Sequence, residues 1–112
     1  MSGYVYRKGL STGPAMRLAW YDYTNTLYQF ATGWTFSAVT VAKSTTVTLV
    51  TKTTAITGAN TSPNIVIDWA AADFTALTAN TIYQVILTAT PTAGDPITFE
   101  NLPEFSLLAA PA

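Results

Sequence analysis

Few side chains in this 112-residue chain can do chemistry, and their types say more by absence than by pattern. There is no histidine and no cysteine. That removes the commonest general base, thiolate nucleophiles, disulfides and the usual zinc ligands. Six carboxylates remain: Asp22, Asp68, Asp73, Asp95, Glu100 and Glu104. Asp68 and Asp73 flank a strand-to-helix junction, where Asp73 reads as a helix-start residue that favours the positive end of the turn. A glycosidase needs two carboxylates facing each other across a sugar cleft, and calcium needs a close run of oxygens. Neither spacing occurs, and no glycine-rich phosphate loop is present. The sequence predicts a protein that is not an enzyme, with no catalytic residue, no metal and no cofactor.

Aromatic surface is the stronger signal. Trp20, Tyr21, Tyr23, Tyr28, Phe30, Trp34 and Phe36 crowd into seventeen residues. Strand alternation assigns Trp20, Trp34 and Phe36 to the core. Tyr21, Tyr23 and Tyr28 fall on the opposite face or in a turn and are the interface candidates, suited to a protein partner or to sugar stacking.

The remaining surface is short of charge. Charged residues make up 10% of the chain and hydrophobic ones 49%, against about 25% charged in an ordinary domain. Threonine, with 21 copies, takes their place. A Thr-rich, charge-poor face suits a solvated β-sheet, or a subunit covered by its neighbours. The net charge of −1 argues against nucleic acid and anionic membranes as partners. The signs are split along the chain: residues 1–56 hold every base against Asp22, and residues 57–112 hold only acids. If the two halves lie apart in space, they form two poles. The opening MSGYVYRKGLSTG lacks the apolar core of a signal peptide, and no apolar run reaches membrane-helix length. The expectation is a soluble chain made in a cytoplasm.

These residues are positioned by short strands separated by turn signals. Strands are predicted over 3–8, 15–21, 34–42, 45–51, 65–69 and 81–90, with short pieces near 53–57, 97–100 and 104–109. Asp22 to Asn25 makes a turn. In 34–42 the apolar face switches partway, which suggests a bulge or a strand covered on both sides. AAADFTAL, Ala70 to Leu77, suits about two turns of helix, with Trp69 and Phe74 in the core. Tyr83 opens the longest strand just after a corner, the placement of a tyrosine corner whose hydroxyl bonds backbone near 77–80. Together these predict one all-β domain over 1–112: an immunoglobulin-like antiparallel β-sandwich of seven to nine strands with one short helix near 70–77.

The stretch GLSTGPAMRLAWYDYTNTLYQFATGWTFSAVTV resembles the N-terminal, immunoglobulin-like domain of phage baseplate upper proteins and related small tail proteins. It shares their Gly-rich entry, apolar strand, Asp-led turn (Asp22 to Asn25, without the usual Gly) and aromatic strand. IDWAAADFTALTANTIYQVILTATP resembles their second signature at Trp69, Asp73 and Tyr83, with Asn80 or Thr81 where a Gly is usual. The resemblance implies a structural subunit of a tailed-phage virion, in the tail, tail tip or baseplate, made in the bacterial host cytoplasm. Its partners would be other virion proteins and copies of itself. A capsid decoration protein is the alternative within that class. A carbohydrate-binding module reading a host surface glycan through Tyr21, Tyr23 and Tyr28 is the alternative outside it.

Overall fold

Two facing β-sheets make up the chain in the computed structural model, which describes residues 4–9, 15–42, 48–99 and 104–109. The strands are β1 (Tyr4–Arg7), β2 (Met16–Leu18), β3 (Trp34–Ala42), β4 (Thr48–Lys52), β5 (Ile56–Gly58), β6 (Ile65–Ile67), β7 (Thr81–Pro91), β8 (Ile97–Phe99) and β9 (Glu104–Leu108). The larger sheet runs β1-β9-β7-β3-β4, with β8 also on β7; the smaller runs β2-β6-β5. Neighbours in space are mostly distant in sequence, and the order is that of an immunoglobulin-type sandwich. The protein is an all-β sandwich.

One pairing departs from the expected antiparallel arrangement. β1 lies parallel to β9, with Tyr4 opposite Phe105 and Arg7 opposite Leu108. No hairpin joins these two strands, so nothing in the connection imposes a reversal. The same pairing decides the charge question: β1 lies on β9, β2 on β6 and β3 on β7. The basic and acidic halves interleave strand by strand, so the halves are not two poles.

Two elements are much shorter than their patterns predict, and a third is described only in part. The 15–21 strand is only Met16–Leu18, because the N–H and C=O of Trp20 bond the Asn64 side chain instead of a strand. The two-turn helix is a single 3-10 turn, Ala71–Phe74. The Asp73 carboxylate accepts the Ala70 N–H at 2.8 Å, and the Lys8 ammonium donates to the Thr75 and Leu77 carbonyls just beyond. Both ends are thus taken within one turn. β4 spans Thr48–Lys52, and the predicted positions 45–47 lie outside the described residues. The face switch is not a bulge in β3, whose register with β7 is continuous from Trp34 to Ala42. Ala38 and Thr40 on one face and Val41 on the other are all buried, so the strand is covered on both sides there. The shift against β4 leaves Leu49 of β4 as the extra residue.

The core consists of two aromatic groups joined by the aliphatic faces of β6 and β7. In one, Tyr6, Trp69, Phe74, Tyr83 and Phe105 meet with ring centroids 5.3–6.5 Å apart. Burial, then Tyr4 and Asp68, pushes the Tyr6 phenol far above its ordinary range. In the other group, Tyr28, Phe30, Trp34, Phe36 and Phe99 pack mostly edge-to-face, with Tyr28 stacked on Phe30 and Trp20 tilted against Phe99. Between them Ile65, Ile67, Val85 and Leu87 are fully buried. The Tyr83 hydroxyl accepts the Thr78 N–H at 2.7 Å and donates to the Thr78 carbonyl at 3.2 Å, which is a tyrosine corner. Asn25 and Asn80, at the two places where the resemblance expects glycine, have φ of 65° and 60°. Asparagine is the residue besides glycine that tolerates this region best.

Candidate functional site

Two surfaces stand out. Among the described residues no group of three or more carboxylates gathers to hold a metal ion. An ion pair among the described residues is structural. Lys52 points inward from β4, bonds Asp73 at 2.8 Å and lies 5.6 Å from the Trp69 ring centroid. The pair ties the edge of the large sheet to the 3-10 turn. Lys52 escaped the sequence reading, although the alternation that turns Val50 inward also turns Lys52 inward.

The first surface is the outer face of the large sheet. Strand alternation and register set its rows. Val5 on β1 and Ile82 on β7 flank Ser106 of β9; Ile86 of β7, Val39 of β3 and Thr51 of β4 form the next row. Beyond these, Thr88 neighbours Thr98 and Ser37, and Thr90 neighbours Thr35. Val5 is 51% exposed, Ile82 44% and Leu49 42%. The charges that register puts on this face among the described residues are Arg7 and Glu104. The first donates to the Ala109 carbonyl and the second accepts from Gln84. A six-strand face with aliphatics in its middle and so little charge resembles the core of an interface more than an open surface.

The second surface is the loop after Trp20. Asp22 Oδ1 accepts from the Thr24 N–H (2.8 Å), the Thr24 hydroxyl (2.6 Å) and the Thr26 N–H (3.0 Å). These bonds, the Thr24 hydroxyl foremost, hold its carboxyl below the usual range. The turn lifts Tyr23 to 99% exposure and leaves Tyr21 half exposed. Tyr28 does not join them. It is part-buried, stacked on Phe30 at 5.1 Å and edge-on to Phe99 and Trp34. Below the loop lies an open concavity of about 550 Å³ lined by Trp20, Tyr21, Tyr23, Tyr28, Ile97 and Phe99.

Trp20, Trp69, Phe74 and Tyr83 are buried, whereas Trp34 and Phe36 are only partly so and line a groove beside β3. A second residue that sequence reasoning missed is Asn64. Fully buried, it accepts the Trp20 N–H at 2.9 Å and donates to the carbonyls of Trp20 (3.1 Å) and Tyr28 (3.0 Å). One side chain thereby pins both ends of the tyrosine loop. Nothing in GANTSPN separates this asparagine from Asn60, since the partner segment is distant in sequence.

Comparison with models of protein families, with curated proteins and with solved structures finds no match.

Proposed function

We propose that this protein is a structural subunit of a tailed-phage virion, in the tail or its tip, that acts by assembly with copies of itself and with other virion proteins. The outer face of the large sheet carries the reading: its central residues are aliphatic or hydroxylated, and its charges are few and locally bonded. Burying such a face stabilises a contact by roughly 25 cal/mol per Å² with little ionic desolvation to offset it. The placement in a phage rests on the sequence resemblance, and the immunoglobulin-type sandwich is compatible with it. A capsid decoration protein would use the same face.

The test is assembly. Native mass measurement should give a symmetric oligomer, and the chain should bind purified virions. Ile82→Lys, at an exposed position that folding does not need, should disperse the oligomer and abolish virion binding. A wild-type chain that is monomeric at high concentration and ignores virions would overturn the proposal. Binding to isolated heads but not tails would select capsid decoration.

A second reading follows from the loop. Tyr21 and Tyr23 stand exposed beside the aromatic concavity, as a sugar-stacking platform requires. A glycan array on the wild type and Tyr23→Ala tests it; blank arrays for the wild type remove it.

A further inference from the structure

A groove of about 700 Å³ opens on the side of the sandwich where the large sheet is one strand short. β3 is paired with β7 along its whole length, Trp34 to Ala42, but β4 covers its other edge only from Ala38 to Val41. At Lys52 the chain leaves the large sheet and crosses through Thr53 to Ala55 into β5 of the smaller one. Among the described residues, the Trp34–Ser37 edge of β3 therefore has no strand beside it. Just before it, the Gly33 carbonyl is already taken by the Thr92 hydroxyl at 2.8 Å.

The groove is bounded by the Phe30 segment and by the chain at Thr53. At one end, Phe30 is pressed against Gly58: a Cβ on Gly58 would lie 2.2 Å from the Phe30 carbonyl oxygen, and the Phe30 N–H bonds the Ala59 carbonyl. At the other, the crossover at Thr53 forms the wall. The apolar lining is Phe30, Trp34, Phe36 and Ile56; the remaining lining is chiefly threonine and serine, with no charged residue. The open stretch of β3 is about 14 Å long, and a neighbouring strand lies about 4.8 Å away.

We propose that this groove receives an extended, uncharged peptide segment from another chain, which adds a strand to β3 at Trp34–Ser37. An unpaired strand edge supplies alternating N–H and C=O groups, and an extended backbone is the ligand that matches them. β4 flanks the open edge on one side and the Phe30 segment on the other, so the free stretch is four residues long, the length of a short single strand. The uncharged lining selects against Lys, Arg, Asp and Glu, whose burial there would be unpaired. This site is separate from the outer sheet face and does not depend on the virion reading.

The probe is a display library of random heptapeptides, panned on the purified full chain. Selected peptides should be uncharged and rich in Val, Ile and Thr, should slow hydrogen exchange of amides within 34–37, and should shift the Trp34 emission. Thr57→Lys puts a charge on the exposed groove rim and should weaken binding by about tenfold or more. Ala76→Lys, exposed beyond the 3-10 turn and outside the groove lining, should leave it unchanged. The proposal is overturned if no peptide binds more tightly than about 1 mM. It is overturned equally if the bound peptides protect the tyrosine loop instead, or if Thr57→Lys and Ala76→Lys weaken binding alike.

Discussion

Replacing Asn64 by aspartate keeps the shape of the side chain and inverts its hydrogen bonding. In the native protein the amide accepts one bond from Trp20 N–H and donates two, to the carbonyls of Trp20 and Tyr28. Trp20 C=O keeps a second partner, the Tyr28 N–H at 3.1 Å, but the Tyr28 carbonyl has no other bond among the described residues. A carboxylate at 64 would retain the accepted bond and turn both donated bonds into contacts between oxygens, inside a site with no solvent exposure. Each buried polar group left unpaired costs about 1–3 kcal/mol, more when charged, against a total stability of about 5–15 kcal/mol. Asn64→Asp should therefore lose about 3–5 kcal/mol at neutral pH, and Asn64→Ala about 2–4 kcal/mol.

The aspartate variant carries a further signature. Burial beside two carbonyls raises its folded-state pKa above the unfolded value of about 3.9. Between those two values the folded state binds more protons than the unfolded state, so stability falls as pH rises through that window. Urea denaturation at pH 4 and pH 7 reads this directly: the deficit of Asn64→Asp against wild type should be smaller at pH 4, whereas that of Asn64→Ala should not change with pH. Equal midpoints for wild type and Asn64→Asp at pH 7 would refute the assignment of Asn64 as the clamp of the tyrosine loop.

Three other outcomes follow from the same geometry. Tyr83→Phe removes both bonds to Thr78 and should cost about 1–2 kcal/mol in denaturant titration, with the core otherwise intact. Asp73→Ala leaves the Lys52 ammonium buried without its partner and should destabilise by about 3–5 kcal/mol; adding Lys52→Met should recover part of that loss, since the double variant buries no charge. The Asp22 carboxyl is depressed, so its support for the loop is present above the unfolded value of about 3.9 and is lost as pH falls through the lower folded value. Amide shifts of Thr24 and Thr26 followed by NMR should titrate together with a midpoint below the ordinary carboxylate range, and a midpoint at or above it would refute the turn as described.

Much of the fold was legible because it rests on short-range patterns. Period-two alternation placed Ile65, Ile67 and Trp69 on one face and opened the longest strand at Tyr83, and all four are buried. The tyrosine corner was readable from position, because its hydroxyl reaches a residue only five away. Composition also told of the missing charge and the missing catalytic groups. Alternation could not say that the 15–21 strand would stop at Leu18, nor that β1 would lie parallel to β9. Both depend on partners far along the chain, Asn64 and the closing strand.

The candidate surfaces divide the same way. The residue types of the tyrosine loop determined that Tyr21 and Tyr23 would be exposed, since Asp22 and Asn25 make their turn from local bonds. Tertiary structure alone decided that Tyr28 would turn inward, that Asn64 would hold the loop, and that β4 would leave β3 half uncovered. Local sequence sets which backbone conformation a segment prefers and which face is apolar. Which strand lies beside which, and where an edge is left open, is set by how two sheets close over one shared core.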